Sequence, residues 1–308
     1  MTPARLRTFL AVVDAGSARS AAAQLHVTES AVSASLAALT KDLGVALVER
    51  EGRGLRVTPA GLVFAGYARR ILGLISEAVE STRQDVDPER GGLRLAAVTT
   101  AGEYLLPPLL AGFRRAHPTV RLSVEIGARD HVLRRIAEHA VDVVIGGRPP
   151  TGSGLRTWAW RPNALVVVGA ERTTGLGTAT WLLREPGSGT RDAALTWLQS
   201  RGLQPPTLTL GSHGAVVASA VQGLGVTLVS ADAVAHLLED GRLVTISAPG
   251  TPLTRPWHVV ARPLPNPTTR LFLTHVCDPT VAGAVAFRAG RPHPVKRVAV
   301  HPADRPRG

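Results

Sequence analysis

SARSAAAQLHVTESAVSASLAALTKDLGVALVEREGRGLRVT, Ser17 to Thr58, reads as two short helices, a turn between them and a two-stranded wing. Ser17 is a good N-cap for the helix running through Ala22 to Leu25, since its hydroxyl can accept from an unpaired first-turn N–H. His26-Val27 closes that helix and Thr28 caps the next. Val32, Leu36, Leu39 and Leu43 recur at helical spacing and give the second helix a core face. Glu29, Ser30, Ser33, Ala34 and Ala37 leave its other face small or polar, which suits insertion into a major groove roughly 12 Å wide. Gly44 tolerates φ > 0 and stops the helix. Strands at 46–50 and 55–57 follow, joined by Glu51-Gly52-Arg53-Gly54. Arg53, at the tip of this wing, can reach a phosphate or the narrow minor groove. The residues expected at DNA are Ser17, Arg19, Thr28, Glu29, Ser30, Ser33, Ala34, Arg50 and Arg53. A helical protein-interaction domain with a hairpin is the bland alternative, but helix, capped helix, glycine stop and basic-tipped hairpin in that order speak against it.

The run from Arg5 to Leu72 resembles the N-terminal part of LysR-type transcriptional regulators. The resemblance rests on Leu6, Phe9 and Val13, on Gly16-Ser17 and Ala21-Ala22, and on Leu25-His26-Val27-Thr28. Ala31-Val32-Ser33, Leu43-Gly44-Val45, Glu49-Arg50 and Thr58-Pro59-Ala60-Gly61 continue it. The chain departs from the family where a glutamine usually follows the capping residue and basic or amide groups line the exposed face. Glu29, Ala34, Ser35 and Ala37 stand there instead. Base reading must then lean on Ser30, Ser33 and Glu29, the last able to accept from a cytosine amino group.

With 308 residues the chain allows about two domains. Its net charge of +12 divides as +1 over 1–90, +6 over 91–278 and +5 over 279–308. The high pI therefore does not by itself mark the DNA-reading part. Arg outnumbers Lys 33 to 2, a skew that reads as codon usage rather than chemistry. The single cysteine, Cys277, can form neither an internal disulfide nor a zinc cluster, and a buried structural thiol is expected. No signal peptide opens the chain and no apolar stretch is long enough to span a bilayer, so the expectation is a cytoplasmic protein without a membrane partner.

Thr58-Pro59 caps and starts a helix running to about Asp87-Pro88. Leu62, Phe64, Tyr67, Ile71, Leu72, Ile75 and Val79 form a stripe too wide for one small domain to cover, so a partner helix is expected. After Asp87-Pro88-Glu89-Arg90-Gly91-Gly92 the texture changes to alternating strands and helices. Strands are expected at 93–98, 120–126, 141–145, 164–168, 181–184, 207–210, 226–229, 243–246 and 257–261. Helices are expected at 103–116, 131–139, 190–201, 215–222, 231–238 and 268–277. That alternation calls for a parallel sheet covered on both faces. Two such halves, with a return near Val259–Pro265, suggest two lobes around a cleft, which resembles the periplasmic-binding-protein-like effector domain of the same regulators.

The expected fold class is thus α/β: a winged helix-turn-helix over 1–58, a linker and dimerisation helix over 59–90, a two-lobed effector domain over 91–278, and a disordered basic tail over 279–308. Ligands of open α/β sheets sit at the carboxyl ends of strands, where helix N-termini point. Three loops fall there: Val98-Thr99-Thr100-Ala101-Gly102, Glu185-Pro186-Gly187-Ser188-Gly189-Thr190, and Gly211-Ser212-His213-Gly214. With Gly147 at the end of a strand, the ligand-binding set is Thr99, Thr100, Gly147, Gly187, Ser188, Gly189, Thr190, Ser212 and His213. Hydroxyl and N–H donors in a domain of charge +6 point to an anionic metabolite. Within the family, TTAGEYLLP and EPGSGT most resemble the carbon-fixation and sulfur-assimilation subgroup.

Ser188, His213 and Asp192 could be imagined as a triad, but no nucleophile elbow, metal-ligand spacing, Walker motif or dinucleotide fingerprint is present. An enzyme, a cofactor and a metal are not expected. A transport solute receptor would share the two lobes but not the fused winged helix. The resemblance implies double-stranded DNA, a homodimer and then a homotetramer as partners, with ligand closure altering DNA bending and recruitment of RNA polymerase.

Overall fold

A computed structural model describes residues 1–290, Arg53, Thr174 and the side chain of Val86 excepted. Its first part comprises α1 (Pro3–Ala15), α2 (Ala18–Leu25), α3 (Glu29–Leu43), β1 (Val48–Glu51) and β2 (Gly54–Val57). Each helix starts at a hydroxyl that satisfies a first-turn donor: Thr2 accepts from Arg5 N, Ser17 from Ser20 N and Thr28 from Ala31 N. Each ends on a left-handed residue, Gly16, His26 or Gly44. Leu6, Phe9, Val12, Ala21, Val32, Leu36, Leu39 and Leu47 close a core between the helices. The wing is fastened to it, since Leu55 N donates to Gly16 O at 3.0 Å.

Helix α4 (Pro59–Val86) has two environments along its 28 residues. Near its start Ala65 and Ala68 are buried and Phe64 and Leu72 pack against the N-terminal core, while Leu62, Tyr67, Ile71, Ile75 and Val79 stay exposed. Its second half is seated on the domain that follows. Gly73 lies so close that an added Cβ would stand 2.2 Å from Glu138 O. Glu77 meets His139 Nδ1 at 2.6 Å and accepts from Arg262 Nε at 3.2 Å. Arg262 also reaches Asp142 at 3.3 Å, and Asp142 holds Arg94 at 2.7 Å.

The first lobe contains β3 (Gly92–Val98), α5 (Thr99–Tyr104), α6 (Leu106–Ala116), β4 (Arg121–Gly127), α7 (Arg129–Ala137), β5 (Val143–Gly146) and β6 (Arg156–Arg161). The chain then crosses into the second lobe: β7 (Ala164–Gly169), β8 (Trp181–Leu183), α8 (Gly189–Gln199), β9 (Thr207–Thr209), α9 (His213–Val221), β10 (Thr227–Ser230), α10 (Ala231–Glu239), β11 (Val244–Ile246) and β12 (Leu253–Thr254). It returns to the first lobe as β13 (Trp257–Ala261), α11 (Pro267–Cys277), α12 (Pro279–Ala282) and β14 (Arg288–Ala289). The return is made at 254–257, a little before the stretch expected.

The first sheet has the order β14-β6-β13-β5-β3-β4. Its β4-β3-β5 part is parallel, whereas β13 runs against both β5 and β6. In the second lobe β7 runs against β10, β11 and β12, and β8 and β9 are parallel. The expectation of parallel sheets is corrected on this point. A chain that leaves one lobe and comes back enters each sheet from its hinge end, against the strands beside it.

Three further corrections concern elements. β6 was not expected. The helix expected over 103–116 is two helices broken at Leu105, with prolines in the first turn of α6, where a missing N–H does no harm. Irregular chain does not begin at residue 279: α12 packs its buried Ala282 on the first-lobe core with Phe287, and β14 adds an edge strand beside β6. The rest of the expected tail, 291–308, lies outside the described residues. Cys277 is half-buried, and burial pushes its thiol above the usual range. No helix among the described residues is long and apolar enough to cross a membrane.

Candidate functional site

In the winged part, α3 turns Val32, Leu36 and Leu39 into the core and leaves Glu29, Ser30, Ser33 and Ala34 exposed on its outer side. Arg19 on α2 and Arg50 on β1 are also exposed. Ser17 and Thr28 are occupied as caps, and Ser30 Oγ lies 3.0 Å from Thr28 Oγ1. Of the hydroxyls expected at DNA, Ser33 is the one on the exposed face outside this capping pair. Arg56, not singled out from sequence, pairs across the wing with Glu49 and Glu51. Arg53 lies outside the described residues.

The second site is a small cleft, about 50 Å³, between the lobes. At ~10–15 Å³ for each water-sized group, it holds only a few such groups. Its first-lobe wall comes from strand ends: Thr99 and Thr100 after β3, Ala128 and Arg129 after β4, and Gly147 after β5. Its second-lobe wall is Arg184 after β8 and Ser188-Gly189-Thr190 at the start of α8. The floor is the pair of crossovers, Asn163 and Arg255. These two are bonded to each other, Asn163 Nδ2 donating to Arg255 O and Arg255 N to Asn163 O, both at 2.9 Å. The hinge itself therefore faces the cleft.

Its electrostatics are one-sided. Three guanidiniums border the cleft, and no carboxylate is among its described lining residues. Arg184 is neutralised by Glu185, whose two oxygens accept at 2.7 and 2.6 Å, and it spans the cleft to Thr99 Oγ1 at 3.2 Å. Burial pushes the Arg255 guanidinium below its ordinary value, nearby Arg129 adds to this, and Asp192 offsets part of it. Arg255 donates to Gly189 O at 2.6 Å, and a Cβ on Gly189 would come within 2.7 Å of its Nη2. Helix α8 starts at Ser188, on the cleft wall, and among the described residues no side chain caps its first N–H groups. Thr100 and Ser188 are each 5% exposed.

Six of the nine ligand residues expected from sequence thus come together: Thr99, Thr100, Gly147, Ser188, Gly189 and Thr190. Gly187 turns the loop at φ 83 without lining the cleft. The third loop is corrected. Ser212 spends its hydroxyl on Ala215 N as the cap of α9, and His213 is buried, edge-on to Tyr104 of the other lobe, with neither ring nitrogen partnered among the described residues. Neither lines the cleft. Arg129, Asn163, Arg184 and Arg255 were missed. The one signal available was their position at strand ends or between strands. No group of three or more His, Cys, Asp or Glu among the described residues could hold a metal ion.

A winged DNA reader joined through one long helix to a hinged, ligand-type domain is the build of a one-component transcription regulator. The profile of the bacterial regulatory helix-turn-helix protein, lysR family, matches residues 3–62, and that of the LysR substrate binding domain matches 87–278. The chain belongs to the LysR family of transcriptional regulators. The transcriptional regulator CfxR of Cupriavidus necator is 33% identical over 270 residues, 84% of this chain and 85% of that one. A RuBisCO operon transcriptional regulator of Acidithiobacillus ferrooxidans is 31% identical over 285 residues, 88% and 92% of the two chains. Among solved structures, the regulatory domain of Synechocystis CcmR in complex with 2-PG superposes with a TM-score of 0.55 at 25% identity, covering 60% of this chain and 94% of that one. The carbon-fixation subgroup suggested by the 99–107 and 185–190 segments is the one these relatives represent.

Proposed function

We propose that this regulator responds to a compact anionic metabolite, phosphorylated or carboxylated, bound between the lobes. The observation that carries the reading is the cleft's charge: Arg129, Arg184 and Arg255, with only Arg184 held bidentately by a carboxylate, beside the uncapped start of α8. Capture of 2-PG by the CcmR domain lends support. Closure on the ligand pulls Asn163 and Arg255, so occupancy and hinge angle change together. The exposed Leu62, Tyr67, Ile71, Ile75 and Val79 of α4 support a homodimer through that helix, with two winged domains on two half-sites and a tetramer as the larger assembly. Changed DNA bending and RNA polymerase recruitment would be the output. Glu29, Ser30 and Ser33 read bases, while Arg19, Arg50 and Arg53 hold phosphates or the minor groove.

The test is the melting shift with 2-PG as probe. Wild type is expected to be stabilised, and Thr100→Ala with Ser188→Ala should abolish the shift. An unchanged shift in the double variant would remove the cleft from the reading. The DNA side is tested with the duplex upstream of the protein's own gene against a random duplex across a salt series. Equal, steeply salt-dependent binding to both would mean that only phosphates are held.

A further inference from the structure

Successive residues of a strand face opposite sides of the sheet. On β13, Trp257 and Val259 enter the core beneath α6 and α11, while Val260 joins the cluster under α7. His258 shares the side of Val260. Over it folds the segment that leaves β5, Arg148-Pro149-Pro150-Thr151-Gly152-Ser153-Gly154-Leu155, and this loop, His258 and Thr157 bound a second cavity of about 420 Å³.

His258 is an unusual residue to find there. It is 2% exposed, and its Nδ1 has no hydrogen-bond partner among the described residues. Burial, with the charge of nearby Arg148, pushes the imidazole down to about 4, so it is neutral near pH 7 and carries one N–H. An enclosed N–H left unpaired costs more than an enclosed lone pair. The proton therefore belongs on Nε2, the nitrogen left to meet the cavity. Thr157 adds a hydroxyl and Arg148 an exposed guanidinium, and no carboxylate is among the described lining residues. The backbone of His258 pairs with Gly146 at the carboxyl end of β5, the end at which open α/β sheets receive ligands.

We propose that this cavity is a second anion site, in which a phosphate group, free or at the end of a metabolite, is held by Arg148, the Nε2–H of His258 and Thr157. Arg129 connects it to the inter-lobe cleft: it borders that cleft and donates Nη2 to Arg148 O at 3.0 Å. The site stands on its own residues and does not depend on what the cleft binds.

The experiment follows the His258 Cε1–H resonance of the full-length, histidine-labelled protein, assigned by its absence from His258→Asn. Inorganic phosphate is added at pH 7.5 and constant ionic strength. A saturable shift is expected in wild type and in the cleft variant Arg255→Met. In Arg148→Ala, an exposed position where folding is not at issue, the midpoint should rise about tenfold or more, as loss of a charge-assisted bond implies. Glycerol 3-phosphate in a parallel titration separates the sources, a tighter midpoint than phosphate meaning a metabolite and an equal one free phosphate. No saturable shift with either probe, or a shift untouched by Arg148→Ala, overturns the proposal. So does a shift that disappears in Arg255→Met, which would put the ion in the cleft.

Discussion

Lowering the pH from 7.5 to 5.5 should weaken the effector domain through His213, by an amount that follows from its surroundings. His213 opens α9, is 1% exposed, and stands 5.7 Å from the ring of Tyr104 across the lobe boundary. Burial first and the charge of Arg184 second push it from 6.5 to about 4, against a smaller pull upward from Glu185. The positive end of α9 acts in the same direction as burial. Because the folded value lies below the unfolded one, the unfolded chain takes up the proton first. Stability is then intact above about pH 6.5, declines between 6.5 and 4, and loses nothing more below that. The whole loss is about 3 kcal/mol, of which about 1 kcal/mol is reached at pH 5.5. Urea unfolding of wild type and His213→Leu, followed by tryptophan fluorescence at constant ionic strength, reads this directly. Whatever the leucine does to stability at pH 7.5, its pH dependence should be flatter by about 1 kcal/mol over this range. Parallel curves for the two proteins would refute the reasoning. His258, also pushed to about 4, should act in the same direction as a separate increment.

Glu77→Gln strips the charge that holds His139 and Arg262 to α4, and the unfolding free energy should fall by about 3 kcal/mol in the same assay. Thr28→Ala leaves Ala31 N without its acceptor at the start of α3, for a loss of about 1 kcal/mol that Thr28→Asn should largely restore. Ile71→Glu with Ile75→Glu puts charge into the exposed stripe of α4. Light scattering should then report monomers where wild type gives dimers or larger. Ser33→Ala should change preference among bases, whereas Arg50→Ala should weaken all duplexes alike and reduce the salt slope by about 1.

What could be read without coordinates was whatever is decided within a few residues. Ser17, Thr28 and Thr58 cap the helices they were expected to cap, because a hydroxyl and the N–H it satisfies are neighbours in sequence. The β13 strand was legible in full, Trp257–Ala261 being apolar at every position but His258. β6 was not, since Arg-Thr-Trp-Ala-Trp-Arg follows a proline- and glycine-rich loop and lacks a clean alternation, its aromatic residues meeting Arg156 and Arg288 instead. The cleft divides the same way. Hydroxyls and glycines at strand ends announce themselves, whereas Arg184 and Arg255 become site residues only when two lobes and two crossovers meet. Ser212 misled because a helix cap and an anion cradle use the same residues, and only the position of the neighbouring lobe distinguishes them.

The seat of α4 makes the helix a lever. Gly73, Glu77 and Gln84 fix its second half to the first lobe, and the winged core clasps its start. Between Pro59 and Gly73 the arm is about 21 Å long. Tilting the seat by about 10° would carry the winged end through about 4 Å, close to the ~3.4 Å rise of one base pair along a strand. A displacement at Glu138 and His139 too small to disturb the first-lobe core would therefore be enough, at the far end, to set a reading head in or out of step with the groove.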